Sequence, residues 1–153
     1  MTTPYKVPMP QVLPFAWPIA GLPAAAPYKG QSVWVTDLHG GIGGYCQSDG
    51  IAWIPRGRDA TLTRNITAGG TLTLTPLVDR PIQILKGTVP ALATLAIGFS
   101  TANAWNGCRF RLVNRLTILG QVKILTSLFG AAWSDFICDD TGTFVNIGTA
   151  GLL

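Results

Sequence analysis

The sequence predicts an all-β protein, and three observations lead to that prediction. The chain has 153 residues, of which 48% are apolar and only 12% charged, and it contains no glutamate. Exposed helix faces are normally filled with Glu, Lys, Arg and Ala, so this composition leaves few ways to form a solvated amphipathic helix. Short runs of β-formers, such as TLTLT at 71–75, alternate instead with glycine-rich turns. We therefore expect one β-sandwich domain with a jelly-roll-like arrangement.

Residues 1–29 are predicted to form an extended N-terminal arm. Seven of the eleven prolines fall within the first 27 residues, and proline fixes φ and removes a backbone donor, which disfavours both a helix and a central strand. In a polyproline conformation this stretch would reach roughly 80 Å. The arm is apolar where free tails are polar, so we expect it to lie on a surface. That surface is either its own domain or a neighbouring subunit.

Large apolar side chains in the arm are the candidates for partner binding. They are Tyr5, Val12, Phe15, Trp17 and Ile19. The most apolar stretch of the arm, 13–26, is interrupted by three prolines. A membrane-spanning helix or a signal peptide requires an unbroken apolar run, so neither is predicted.

Residues 30–153 are predicted to form the single β domain. Strands are expected at 31–37, 44–48, 51–55, 60–66, 70–76, 81–86, 92–98, 108–114, 116–126, 133–138 and 143–147. Turn residues separate them, including HGGIGG at 39–44, SDG at 48–50 and DDTG at 139–142. In 108–113 the alternation places Cys108, Phe110 and Leu112 on one strand face and the two arginines between them on the other.

Two hairpins of this domain share a spacing of residues. Asp49, Trp53 and Gly57 are echoed by Asp140, Phe144 and Gly148. Each Asp is expected to open a turn, and each aromatic residue to stand in the strand that comes next. We interpret the echo as a repeated way of turning a corner.

The basic residues are spread along the chain, which has a formal net charge of +4. Two groups have i, i+2 spacing, which places side chains on the same face of a strand. The first comprises Arg56, Arg58 and Arg64, and the second Arg109, Arg111 and Arg115. We predict an interface stripe from Arg56, Arg58, Arg109 and Arg111. Direct nucleic-acid contact is not expected, because such binders cluster their Lys and Arg; an OB-like nucleic-acid binder is a distant alternative.

No catalytic, metal or cofactor site is predicted. Without Glu, acid–base chemistry would fall to Asp or to His39, and His39 stands in a glycine-rich loop with no nucleophile motif nearby. Cys46, Cys108 and Cys138 are odd in number and lack metal-ligand spacing, which predicts buried free thiols in a reducing cytoplasm. Asp139 and the residues after it lack the further oxygen ligands of a calcium loop and predict a turn.

Two stretches resemble modules of tailed-bacteriophage virion proteins. YKGQSVWVTDLHGGIGGYCQSDGIAWIPRG, at 28–57, has a strand ending in V-x-D, a glycine-rich turn and a hairpin of the form Y-x-x-SDG-x-x-W. WNGCRFRLVNRLTILGQVKILTSLFGAAWSDFICDDTGTFVNIGTAGLL, at 105–153, is similar to the companion pattern. It departs from that pattern at Phe144, where Trp is usual, and at Thr141 within the turn. The motifs consist mainly of turn and core residues and therefore bear on architecture.

The resemblance implies a capsid decoration, or cement, protein. Such a protein is not an enzyme; it bridges and stabilises major capsid protein subunits on the exterior of the shell after assembly in the host cytoplasm. The expected partners are the major capsid protein and further copies of the chain, with a homotrimer preferred over a dimer and with no cofactor and no membrane. The alternative is a tail, head-fibre or baseplate module that mediates trimerisation or binds a host glycan through exposed tryptophans.

Overall fold

The structure, a computed structural model, describes residues 16–57, 59–90, 94–118, 123–124 and 131–152. Its strands are β1 (Ala16–Trp17), β2 (Ser32–Val35), β3 (Gly44–Ser48), β4 (Trp53–Arg56), β5 (Thr61–Asn65), β6 (Gly70–Leu74), β7 (Ile82–Val89), β8 (Thr94–Phe99), β9 (Arg109–Ile118), β10 (Lys123–Ile124), β11 (Ala131–Cys138) and β12 (Phe144–Leu152). A single helical turn, α1 (Leu38–Gly41), comes after β2, and two 3-10 turns, Ile19–Gly21 and Ala26–Tyr28, precede it. The all-β prediction is confirmed.

The N-terminal sheet contains β1, β2, β3 and β4 in that order. β1 is parallel to β2, and the other neighbours are antiparallel. The turn between β3 and β4 is the predicted SDG turn, because Asp49 Oδ1 accepts the backbone N–H groups of Ile51 and Ala52, each at 2.7 Å. An aspartate that binds the N–H groups two and three residues ahead replaces the bonds that a tight turn leaves unmade.

The middle of the chain passes alternately between two further sheets. β5, β7 and β9 lie parallel in a five-stranded sheet of order β12-β11-β9-β7-β5, and β6, β8 and β10 lie parallel in a three-stranded sheet. Thr61 is in register with Ile82, and Ile82 with Arg111, so successive coils of the chain stack on one another. This is the connectivity of a short β-solenoid. The predicted jelly roll is not confirmed, because jelly rolls are made of antiparallel strands.

β11 and β12 complete the five-stranded sheet as an antiparallel hairpin against β9. Its turn is opened by Asp139, whose Oδ1 accepts the N–H groups of Thr141 and Thr143, each at 2.9 Å, and the Thr141 hydroxyl at 2.7 Å. The echo of the Asp49 turn is therefore displaced by one residue from Asp140, the position that the spacing predicts. The second turn is one residue longer than the first, because the Asp139 side chain accepts an N–H four positions ahead and the Asp49 side chain one only three positions ahead.

Two apolar clusters hold these sheets together. Cluster 1 comprises Leu74, Leu85, Val89, Leu95, Ile97, Phe110, Leu112, Leu116 and Phe136 and fills the space between the five-stranded and three-stranded sheets. Cluster 2 comprises Ala25, Val33, Val35, Leu38, Cys46, Trp53 and Leu77 and lies against the N-terminal sheet. Leu77, and the partly buried Trp105 packed beside it, come from the solenoid. The second core is thus shared between both parts of the chain.

The described part of the N-terminal arm, 16–29, packs on its own domain. Trp17, Ile19, Leu22 and Tyr28 contact cluster 2, of which Ala25 is a buried member. Backbone oxygens of this segment also accept hydrogen bonds from the sheet: Trp53 Nε1 donates to the Pro23 carbonyl at 2.7 Å, and the Ser48 hydroxyl to that of Ala25 at 2.6 Å. Tyr5, Val12 and Phe15 lie outside the described residues.

Candidate functional site

The side of the five-stranded sheet that points away from cluster 1 carries most of the charge of that sheet. Strand alternation defines it: in β7, Gln83 and Leu85 are buried while their neighbours point outward, and in β9 the same holds for Phe110 and Leu112. We call this surface the outer face. It consists of Ile82, Ile84, Lys86, Arg109, Arg111, Val113, Arg115, Trp133, Asp135 and Ile137.

An apolar row crosses the centre of the outer face. Ile84 of β7 is in register with Val113 of β9, and Val113 with Trp133 of β11. All three side chains are partly exposed. Other large apolar side chains, among them Ile51 and Ile147, are exposed elsewhere on the chain. Here, however, an aromatic and two aliphatic side chains form a continuous row between charged residues, which is typical of the centre of a contact surface.

Arg111 is fixed beside this row by two interactions. Its Nε and Nη2 atoms donate to the two carboxylate oxygens of Asp135, at 2.7 and 2.6 Å. Its guanidinium carbon lies 4.9 Å from the centre of the Trp133 ring, a cation–π distance. The hydrogen bonds to Asp135, and then its charge, raise the pKa of Arg111. Because half of the Arg111 side chain is exposed, the ion pair of Arg111 with Asp135 adds little to the stability of the fold. Its main effect is to hold the guanidinium and the Trp133 indole in place against each other.

Lys86 and Arg115 form the basic edge of the outer face. They are register partners on the neighbouring strands β7 and β9, and both are exposed. All seven aspartates of the chain lie in the described residues. The ion pairs found there are Arg64 with Asp79 and Arg111 with Asp135. Within the described part of the chain, two positive charges therefore face each other without an acidic partner.

A cleft of about 330 Å³ adjoins the other end of the outer face. Arg109 and Arg111 of β9 line this cleft, together with Asp59 from the segment before β5. His39 of α1 and Trp105 from the segment between β8 and β9 also line it. Arg109 has no side-chain hydrogen bond or ion pair within the described ranges. Asp135 also lines the cleft and is paired with Arg111. The cleft thus offers the Arg109 guanidinium, the Asp59 carboxylate and an indole to a small polar molecule.

The turn α1, which carries His39, connects β2 with β3 and is hydrogen-bonded to the segment between β6 and β7. His39 has φ 55° and ψ 42°, a left-handed conformation that is uncommon for a residue with a side chain. Its N–H donates to the Leu77 carbonyl at 2.7 Å, and its Nδ1 lies 3.1 Å from the Asp79 carbonyl, so Nδ1 carries the proton in the neutral ring. Arg80 Nε donates back to the His39 carbonyl at 3.3 Å. These hydrogen bonds hold the backbone of His39 in its left-handed conformation, so that conformation needs no catalytic explanation.

The residues that line the cleft include no nucleophile paired with a base. Its lining contains no Ser, Thr or Cys that His39 could activate. Among the described residues, no group of three or more His, Cys or Asp could hold a metal ion. The three cysteines are free and buried, and burial raises the pKa of Cys46 and Cys108 to about 12. Their thiols are therefore protonated at neutral pH and are poor nucleophiles.

The structure separates the arginines of the predicted stripe. Arg109 and Arg111 do share one strand face, as their spacing predicts. Arg56 lies on the N-terminal sheet, where its Nε and Nη2 donate to Gln47 Oε1 at 3.1 and 2.8 Å, and Arg58 lies outside the described residues. Arg115 continues the spacing of β9 in the sequence, whereas Lys86 carries no sequence signal, because only the parallel register of β7 places it there.

Comparisons with protein-family models, curated proteins and solved structures find no match to the chain. No helix in the described ranges is long and apolar enough to cross a membrane. The function of the chain must therefore be inferred from its own residues and their geometry.

Proposed function

We propose that the chain is a non-enzymatic virion protein of a tailed bacteriophage, a capsid decoration protein that bridges and stabilises major capsid protein subunits on the shell exterior. The resemblance of 28–57 and 105–153 to phage modules supports this proposal. A chain of so few charges also suits a protein whose surface is covered by neighbours.

The observation that carries the proposal is the fixed base of the N-terminal arm. Trp17 is held against β2, because the Thr36 N–H donates to its carbonyl at 2.9 Å. The Ile19 N–H donates to Asp37 Oδ1 at 2.7 Å. Residues 1–15 therefore start from a defined point at the edge of the N-terminal sheet. In an extended conformation they would reach roughly 45 Å, which is shorter than the whole arm but enough to meet a neighbouring subunit.

The five arm residues predicted to bind a partner therefore fall into two groups with different roles. Trp17 and Ile19 pack against cluster 2 of their own chain and form the anchor. Tyr5, Val12 and Phe15 are the residues that we assign to contact with a capsid subunit or another copy of the chain. An anchored start lowers the entropy lost when the remainder of the arm binds.

The test is a deletion of residues 2–15, which leaves β1 and cluster 2 intact. In purified virions of the encoding phage, we expect hundreds of copies per particle of the full chain and loss of the deleted form, measured by quantitative mass spectrometry. The temperature at which particles release DNA should fall in parallel. Gln11→Ala is the matched control and should bind normally. Equal occupancy of the deleted and full-length forms would refute the proposal.

The cleft beside the outer face favours the second candidate, a tail, head-fibre or baseplate module that contacts a host glycan. Trp105 provides an indole, and Arg109 and Asp59 provide polar groups that could bind sugar hydroxyls. Copy number separates the two candidates. Three to a few tens of copies per virion would indicate the tail and not the shell.

A further inference from the structure

We infer that the outer face is a docking surface for an acidic protein surface. The inference concerns Lys86, Arg115, Arg111 and the apolar row between them, and it holds whether or not the protein belongs to a virion. The spacing of Arg109 and Arg111 predicts one strand of this face, and the parallel stacking of β7 on β9 adds Lys86 to it.

The first argument is the unpaired charge at Lys86 and Arg115. Like charges directly opposite each other on neighbouring strands destabilise a sheet. Here the chain places two of them in register on β7 and β9, and no described aspartate offsets either one. An acidic partner would supply the missing countercharge and remove the repulsion.

The second argument is the balance of charge over the whole face. Four basic side chains, Lys86, Arg109, Arg111 and Arg115, share it with Asp135 alone, and Asp59 stands at its margin. The formal net charge of the entire chain is +4, so the face carries a large share of the excess. Complementary charge both accelerates association and excludes wrong partners.

The third argument is the apolar row, which distinguishes a protein partner from a nucleic acid. A centre of Ile84, Val113 and Trp133 inside a basic edge matches the apolar core and polar rim of protein interfaces. Single-stranded nucleic acids are bound by several open aromatic faces, whereas one side of Trp133 is already covered by Arg111. Pairing of two copies through this face is disfavoured, because both faces carry a net positive charge.

The experiment uses the full chain and a short fluorescein-labelled peptide of alternating Glu and Leu as the probe. Binding is measured by fluorescence anisotropy at about 50 mM and about 300 mM NaCl, because screening weakens contacts between exposed charges. A peptide of alternating Lys and Leu and a DNA oligonucleotide are measured in parallel. We expect the acidic peptide to bind best and to weaken with salt.

The variants locate the binding site. The double variant Lys86→Glu/Arg115→Glu should weaken binding roughly tenfold, as expected when two rim charges change sign. Lys29→Glu/Arg56→Glu makes the same change of charge in the N-terminal part of the chain, at Lys29 before β2 and at Arg56 in β4, and should stay within about twofold of the parent chain. Trp133→Ala should weaken binding at both salt concentrations. Circular dichroism melting checks that each variant is folded.

Three results would overturn the inference. One is an equal loss of binding in the two double variants, which would show that binding depends on the net charge of the chain and not on the outer face. Another is tighter binding of the oligonucleotide than of the acidic peptide, which would indicate nucleic acid instead. The third is normal binding by folded Trp133→Ala. None of them depends on virion occupancy, so the inference and the capsid proposal fail separately.

Discussion

Gly87 allows β5 to lie closely against β7 beneath the basic edge, and its replacement by alanine tests that packing. Gly87 has φ 118°, and a Cβ atom there would stand 2.3 Å from the Ile66 carbonyl oxygen and 2.8 Å from Asn65 Oδ1. The obstructing oxygen belongs to the backbone, so no side-chain rotation relieves the contact. The Ile66 N–H donates to the Lys86 carbonyl at 2.7 Å, so moving β5 away breaks that bond.

The expected loss can be assembled from these contributions. The left-handed backbone costs an alanine about 1–2 kcal/mol, the overpacking about 1–3 kcal/mol and the broken hydrogen bond about 1 kcal/mol. Gly87→Ala should therefore lower the free energy of unfolding by about 3–6 kcal/mol. At about 2–4 °C per kcal/mol for a chain of this length, the melting temperature should fall by roughly 6–24 °C.

Gly107→Ala is the matched control. Gly107 has φ 87°, but a Cβ there would meet no atom within 4 Å, so only the backbone cost of about 1–2 kcal/mol remains. Both variants are compared with the parent chain by urea unfolding monitored by tryptophan fluorescence. If the two variants lose the same free energy, the close contact of β5 with β7 is refuted.

Three further predictions concern charge and packing. Lys86→Glu should raise the free energy of unfolding by about 0.2–1 kcal/mol, because it turns the repulsion with Arg115 into attraction; a loss in urea unfolding would contradict that register. Phe110→Ala in cluster 1 should cost about 3–5 kcal/mol, measured by calorimetry against Phe110→Leu, which should cost less because the leucine fills part of the cavity. Hydrogen bonds, chiefly from the Thr141 hydroxyl, lower the pKa of Asp139 from 3.8, so its stabilising contribution is complete above pH 3.8 and is lost as pH falls through the lower folded value. Asp139→Asn should flatten the acid limb of a stability–pH curve and Asp140→Asn should not, whereas equal curves would contradict the assignment.

Most strands and their faces could be predicted from the sequence because both depend on local alternation. The predicted strands 108–114 and 116–126 are an exception, since β9 runs unbroken over Arg109–Ile118 and β10 holds only Lys123–Ile124. Phe110 and Leu112 are buried and Arg109 and Arg111 exposed, as period-two spacing requires. The Asp49 turn could also be predicted from the sequence, since its hydrogen bonds span only three residues. In the second hairpin the matching aspartate is Asp139, because spacing alone does not show how many residues a turn will hold.

The neighbours of each strand could not be predicted. Alternation shows which side of a strand is buried and does not show whether the next strand in sequence pairs with it or lies in the opposite sheet. β6 comes after β5 in the chain but pairs with β8, and this choice rests on contacts between distant residues. The outer face depends on the same choice, since Lys86 meets Arg115 only through the pairing of β7 with β9.

The shared membership of cluster 2 has a consequence for how the chain folds during synthesis. Leu77 and Trp105 complete a core whose other members come from 17–53. The apolar side of the N-terminal sheet therefore stays exposed to water until the chain as far as Trp105 has left the ribosome. Contacts of such long sequence separation slow folding and leave apolar surface exposed meanwhile. We therefore expect nascent chains that end before Trp105 to need chaperone protection, and the two parts of the finished protein to unfold in one transition.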